Sequence, residues 1–185
     1  MAPALADWIP DILNFWFDEI PRDAWFRKDE LFDQRLRERF LSWHEHVAAL
    51  PSADCVRDAE TAIAAVIALD QFPRNMFRGT PRAFATDAKA YAIADRAIAN
   101  GFEARLSKDQ RTFLYLPYQH VEHPAVQARA VQLMASLGDA ELDHFAVAHK
   151  DIIDRFGRFP HRNAILGRIS TPEEIAFLSQ PGSSF

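Results

Sequence analysis

Apolar residues recur along this chain at helical spacing. In "LFDQRLRERFLSWHEHVAAL", Leu31, Phe32, Leu36, Phe40, Trp43 and Val47 repeat at spacings of mostly three to five, with arginines and glutamates between them. That pattern predicts one amphipathic helix, ended by Pro51 and Ser52. Asp54 is expected to open the next helix, "CVRDAETAIAAVIALDQF", whose alanines and aliphatics make it apolar enough to lie inside. Pro73 disfavours helical geometry at Phe72, so this helix is expected to stop or kink there.

Further along, capping residues mark the boundaries. Thr80 reads as an N-cap, Pro81 as a first helical residue, and Asn100-Gly101 as a stop after Ala99. Ser107–Gln110 spells a capping box, and so does Thr171–Glu174 with Pro172 inside it. A helix from Pro124 closes at Gly138, and another from Asp139 or Ala140 closes at Gly157. Val, Ile and Thr never alternate with polar residues as a strand requires. The expected fold is all-α: one domain over residues 1–185, with seven to nine helices in antiparallel hairpins joined by short loops.

Composition narrows the class. The chain has 185 residues, 49% of them hydrophobic and 12% aromatic, which suffices for a real core. The formal charge of −5 argues against general nucleic-acid binding, which needs a basic face. Cys55 is the single cysteine, so no intramolecular disulfide forms, and it reads as a small filler residue. The N-terminus carries Asp7, Asp11, Asp18 and Glu19 with no basic residue before Arg22, unlike a signal peptide. No run of eighteen uncharged apolar residues occurs, so no membrane span and a cytoplasmic location are expected.

Against this acidic background, two segments echo each other. "DQFPRNMFRG" starts at Asp70 and "GRFPHRNAILGR" at Gly157. Residues 71–86 hold Arg74, Arg78 and Arg82 with no acid, and residues 155–168 hold Arg155, Arg158, Arg162 and Arg168 with no acid. Each Phe-Pro extends the backbone before an Arg-Asn pair. Asparagine suits such junctions, and arginines can fork onto an oxyanion. An anion pocket is one reading. The other is a structural network, in which Arg74 or Arg78 offsets Asp70 and Arg155 pairs with Asp151 four residues earlier.

"ALDQFPRNMFRGTPRAFATD", "FLYLPYQHVEHPAVQ" and "HKDIIDRFGRFPHRNAILGRISTPEEIAFL", with "ILNFWF" and "WFRKDELFD" near the start, resemble the bacterial protein family of unknown function DUF924. The resemblance spans nearly the whole chain. It implies a TPR-like all-α fold and no established activity, substrate or cofactor. It also implies that Asp70, Gln71, Arg74, Asn75, Arg78, Tyr115, His120, Glu122, Arg155, His161, Arg162 and Asn163 occupy the family's motif positions. His123 departs from that pattern, where an acidic residue is expected.

Other residues offer weaker chemistry. His120, Glu122 and His123 could begin a metal site completed by His149 or His161, but Pro124 leaves their shared face undefined, and no metal is assigned. His44 and His46 are two apart in "WHEHV", so they are expected on a solvated helix face. His161 and His120 are the candidates for proton transfer, oriented by Glu122 or Asp70. Trp8, Phe15, Trp16, Phe17, Trp25 and Phe26 could line a groove or fill the core. Two functions follow. In the first, a polar pocket binds a small phosphate or carboxylate ligand through Asp70, Arg74, Asn75, Arg78, Tyr115, Arg155, Arg158, Arg162 and Asn163, with His161, His120 and Glu122 for any chemistry. In the second, a TPR-like scaffold binds an acidic peptide or protein partner and the arginines are structural.

Overall fold

The computed structural model describes residues 8–184. Asp7 lies outside them. Every regular element among them is helical, and no helix is long and apolar enough to cross a membrane. The chain gathers into two compact units, residues 8–78 with 82–117, and residues 79–81 with 118–184.

In the first unit, α1 (Trp8–Asn14) runs directly into a π-helical turn over Phe15–Glu19. α2 (Glu30–Ala49) follows, capped by the Asp29 carboxylate, which accepts from the N–H groups of Leu31 and Phe32 at 3.0 and 3.1 Å. Leu36, Phe40 and Val47 are fully buried, as the periodicity predicts, but Leu31 lies in the first turn and is exposed. The Lys89 ammonium donates to the carbonyls of Val47, Ala48 and Leu50 and so closes the C-terminal end of α2.

α3 (Ala59–Val66) is capped by Asp58, not Asp54; residues Ser52–Cys55 form a separate 3-10 turn. A second π turn, Ile67–Gln71, links α3 to α4 (Phe72–Met76). Pro73 therefore does not end the helical run. It sits in the first turn of α4, where a missing N–H costs little. The wide π turn displaces carbonyls from their helical partners, and side chains satisfy them. His44 Nδ1 donates to Ala68 O at 2.8 Å, Thr86 Oγ1 to Leu69 O at 2.5 Å, Arg74 to Asp70 O at 2.6 Å and Asn75 Nδ2 to Gln71 O at 3.2 Å. His44 is thus buried against a backbone carbonyl, contrary to the solvated face expected from its spacing, and burial lowers its pKa.

Pro81 opens only a 3-10 turn, Pro81–Phe84, and α5 (Asp87–Ala99) begins later than Thr80-Pro81 suggests. Gly101, at φ 71°, ends it as expected. α6 (Lys108–Gln119) opens with the capping box: Gln110 N–H donates to Ser107 Oγ at 3.2 Å and Ser107 N–H to Gln110 Oε1 at 2.9 Å. The N-terminal aromatics fill the core here. Trp16 and Phe113 meet edge to face at 5.5 Å, Trp25 and Phe113 at 4.9 Å, and Trp25 Nε1 donates to Trp16 O at 2.8 Å, in the first π turn. Phe26 alone of the two adjoining aromatics is well exposed, stacked on Phe113.

The second unit is built on α7 (Pro124–Ala135) and α8 (Ala140–Phe156), which pack together across the short turn at Gly138 and the Asp139 cap. α8 ends at Gly157, φ 69°, which no side-chain-bearing residue adopts without strain. A 3-10 turn, Pro160–Arg162, and α9 (Pro172–Leu178) complete it, with the Thr171–Glu174 capping box formed. Gln127 is fully buried, and its Nε2 donates to Tyr118, Gln119 and Val121 carbonyls at 3.4, 2.7 and 2.8 Å. One amide thus fixes the backbone on both sides of His120.

Replacing that amide by a carboxylate of the same shape sets negative charge against three carbonyls. Gln127→Glu is expected to destabilise the protein by roughly 3 kcal/mol, read as a lowered urea midpoint with native helical circular dichroism retained. An unchanged midpoint would contradict this role.

Candidate functional site

The arginines of the two segments lie in different units. In the first, Arg74 forks onto Asp87 of α5 with both contacts at 2.9 Å and lies 3.3 Å from the fully buried Asp70 carboxylate. Gln71 Nε2 donates to Asp70 at 2.6 Å. Arg78 forks onto Asp33 of α2 at 2.7 and 3.0 Å and donates to Asn75 Oδ1 at 2.9 Å. Arg82 meets Glu45 at 2.7 Å. The Tyr115 hydroxyl, also buried, donates to Glu103 at 3.1 Å. Acids from α2 and α5 join Asp70 in meeting the arginines of this segment. These contacts tie the π turn and α4 to their neighbours.

In the second unit, Arg155 pairs with Glu173 at 2.8 and 3.0 Å, where the i,i+4 spacing had suggested Asp151. Arg158 forks onto Glu174 at 2.7 and 2.8 Å. That carboxylate also accepts from Thr171 N–H at 2.8 Å and Asn163 Nδ2 at 3.2 Å. The Arg158 guanidinium foremost, then the Thr171 N–H, lowers the Glu174 pKa to about 2.

Glu122 and Arg168 make a tighter device. Arg168 forks onto Glu122 at 2.6 and 2.9 Å. Glu122 Oε1 accepts from the Phe159 N–H at 2.8 Å, and Arg168 donates to the Phe159 carbonyl at 3.0 Å. The ion pair therefore grips both polar backbone groups of one residue. Arg168 also donates to Asn163 Oδ1 at 2.9 Å. Burial alone would raise the Glu122 pKa, but Arg168 and the Phe159 N–H outweigh it and hold it below the usual value. Glu122 is an ionised strut.

The residue so gripped carries the polar cluster. The His149 ring meets the buried Phe159 ring edge to face at 5.7 Å, His161 lies 5.6 Å from it, and the Arg162 guanidinium sits over it at 4.6 Å. His120 lies 6.3 Å from His149, and its carbonyl accepts from Arg162 at 3.1 Å. The structure thus brings His120, His161, Arg162 and Glu122 into one neighbourhood and adds His149, Phe159 and Arg168. His149 lies on the apolar face of α8 with Ala146, Ile152 and Ile153, a spacing visible in the sequence. The roles of Phe159 and Arg168 carry no local signal, because their partners lie in distant segments.

Burial and neighbouring positive charge both act on the imidazoles of this cluster. Burial, then the His120, Arg162 and His161 charges, lower the His149 pKa to about 3, against the opposing hydrogen bond to Phe145. Burial and then Arg162 lower His161 to about 4, against Glu122. Both imidazoles are neutral at pH 7. His149 Nδ1 lies 2.7 Å from Phe145 O, which can only accept, so the proton is on Nδ1 and Nε2 is an acceptor. His123 is spent elsewhere: its Nδ1 accepts from Ala125 N–H at 3.2 Å and caps α7. Among the described residues no group of three His, Cys, Asp or Glu side chains is placed to hold a metal ion.

Two histidines buried neutral make the fold sensitive to acid. Their folded pKa values lie below the unfolded 6.5, so the unfolded chain binds more protons. Stability is full above pH 6.5 and falls as pH drops towards about 4 for His161 and about 3 for His149. Between pH 7 and pH 5 the loss is expected to be roughly 2–4 kcal/mol. Urea unfolding at the two pH values checks it, and His149→Leu should remove about half of the difference.

The family and structure comparisons agree with one another. The model of the family described as "Bacterial protein of unknown function (DUF924)" matches residues 12–182. No curated protein matches the chain. The structure of a protein of unknown function from Agrobacterium tumefaciens, ATU0120, is similar at a TM-score of 0.87 and 44% identity. The likeness covers 92% of this chain and 96% of that one. With nearly its whole length matched, and with both Phe-Pro-containing segments inside the match, the chain belongs to the DUF924 family of bacterial proteins of unknown function.

Proposed function

We propose that the second unit binds a small oxyanion, a phosphate or a carboxylate, against Arg162, His161, His149 and His120. The observation that carries this reading is the placing of the Arg162 guanidinium, His149 and His161 around the Phe159 ring, with His120 beside His149. The nearby carboxylate, Glu122, is engaged by Arg168 and the Phe159 N–H. A positive group in a largely water-free setting attracts an anion more strongly than one in water. Apolar walls and a few converging polar groups are the usual make-up of a ligand site.

In this reading, Arg158, Asn163 and Arg155 brace α9 and the loop before it. Asp70, Arg74, Asn75, Arg78 and Tyr115 serve the framework of the first unit. His161 or His120 would move a proton if the bound anion reacts. The protein would act in the cytoplasm as a small-ligand protein.

A TPR-like scaffold for an acidic peptide is the second reading. Exposed Leu166, Ile169 and Ile175, close in sequence to Arg158, Arg162 and Arg168, favour it. Thermal unfolding separates the two. Phosphate at a hundred times its dissociation constant should stabilise the wild type by about 2.7 kcal/mol. Arg162→Ala, verified as folded, should lose that gain. No stabilisation by phosphate, sulfate or small carboxylates would reject the first reading. Acidic-peptide binding that survives Arg162→Ala would favour the second.

A further inference from the structure

α9 is attached to its unit by charge more than by apolar burial. Of its seven residues the buried one is Glu174, at 2% exposure, while Ile175 is 60% exposed. A surface helix ordinarily buries an apolar stripe; this one buries a carboxylate. Arg158 forks onto that carboxylate at 2.7 and 2.8 Å, and Asn163 Nδ2 donates to it at 3.2 Å. Beside it, Arg155 pairs with Glu173 and lies over the rings of Phe156 and Phe177 at 4.6 and 5.8 Å. Those rings meet at 5.0 Å, and both pack on the apolar cluster of Ile152, Ile153 and Phe159.

We infer that residues 169–184 form a removable strap, and that the groove under α9 takes an acidic helical segment of a partner protein with a glutamate and an aromatic residue three positions apart. The inference rests on the acidic-partner reading above and gives that partner a site.

Helices shorter than about 12 residues do not hold themselves in water. α9 therefore depends on its contacts, chiefly the ionised anchor Glu174, the Arg155–Glu173 pair and the Phe177 ring. Upstream, the chain is fixed as far as Arg168 by the fork onto Glu122. The next two residues are tied by the same side chains that hold α9. Arg158 donates to the Ile169 carbonyl at 2.9 Å, and Asn163 Nδ2 to Ser170 Oγ at 3.0 Å. Ile169 itself is 88% exposed. Once Arg158 and Asn163 let go, everything from Ile169 onward is released together, as a local cooperative unit.

The released groove presents the Arg158 guanidinium and the Asn163 amide beside the Phe156 ring. α9 is its occupant here and so spells out the chemistry it accepts. Glu174 meets Arg158 and Asn163, and Phe177, three residues on and on the same helix face, meets Phe156. A partner helix with that pair finds the same donors and the same ring. Being on the same chain, α9 competes at a high effective concentration, so the groove stays closed until α9 is weakened or displaced.

Fluorescence polarisation of a labelled peptide of residues 169–184, titrated with the whole protein, tests this. Glu174→Gln with Phe177→Ala, which weakens the tethered helix, should bind the peptide at least about tenfold more tightly than the wild type. Adding Arg158→Gln should abolish that gain. Hydrogen exchange supplies a check that needs no variant: in the wild type the amides of Ile175–Leu178 should exchange at least about tenfold faster than those of Ile152 and Ile153. Equal exchange in α9 and α8 overturns the strap, and decides the matter if the variants do not fold. Peptide binding equal in wild type and weakened variant, or indifferent to Arg158→Gln, overturns the groove and leaves an acidic partner to bind elsewhere. No binding of this peptide or of a polyglutamate peptide to either protein overturns the groove and the acidic-partner reading together.

Discussion

An ion pair closed around a single peptide, Glu122–Arg168 on Phe159, is the constraint on which the second unit's polar cluster depends. Phe159 lies between the left-handed glycine that ends α8 and the 3-10 turn Pro160–Arg162, whose Arg162 N–H donates to its carbonyl at 3.1 Å. Its N–H needs a partner once the residue is buried. The pair supplies that partner through Glu122, adds an Arg168 donor to the carbonyl, and its two charges satisfy each other in the same act. The ring is thereby set at a fixed place against α8. His149, His161 and Arg162 then take their positions from contact with it. Gln127 does the matching task for the backbone that carries His120.

The first unit solves a related problem by related means. Its two π turns break the regular ladder of an otherwise apolar helical framework. Their carbonyls are met by side chains: Trp25 at the first, and His44, Thr86, Arg74 and Asn75 at the second. Arg74 and Arg78 then spend their remaining capacity on Asp87 and Asp33. A buried ion pair is weak support for stability in general. Here the arginines also donate to main chain or to a neighbouring amide, Arg74 to the Asp70 carbonyl and Arg78 to Asn75 Oδ1. That gives the Arg-Asn pair a structural reason, independent of any ligand.

The helices were legible in the sequence where caps and periodicity agreed. Ser107–Gln110 and Thr171–Glu174 are local devices and form as written. The ends of α3 and α5 were less legible, because Asp54 and Thr80 are as good as caps locally as Asp58, and tertiary packing chooses among them. Of the candidate site, the residues His120, Glu122, His161 and Arg162 stood out by type. What could not be read was who answers them. Segments free of acids looked like concentrated positive charge, yet Asp33, Asp87, Glu122, Glu173 and Glu174 arrive from other elements to meet most of it. Only the fold shows that Arg158 meets Glu174 and that Arg162 reaches the His120 carbonyl and lies over the Phe159 ring. Composition was equally silent on Phe159, whose role lies in its backbone.

The claim that one clamped peptide positions the cluster is tested most directly by a double-mutant cycle on the clamp. Glu122→Gln, Arg168→Gln and the double variant would be unfolded in urea, with histidine ring signals followed by nuclear magnetic resonance. The clamp predicts a coupling energy of about 1–3 kcal/mol between the two positions, and shifted His149 and His161 resonances in each single variant. Additive destabilisation, with both histidine signals where they are in the wild type, would contradict it.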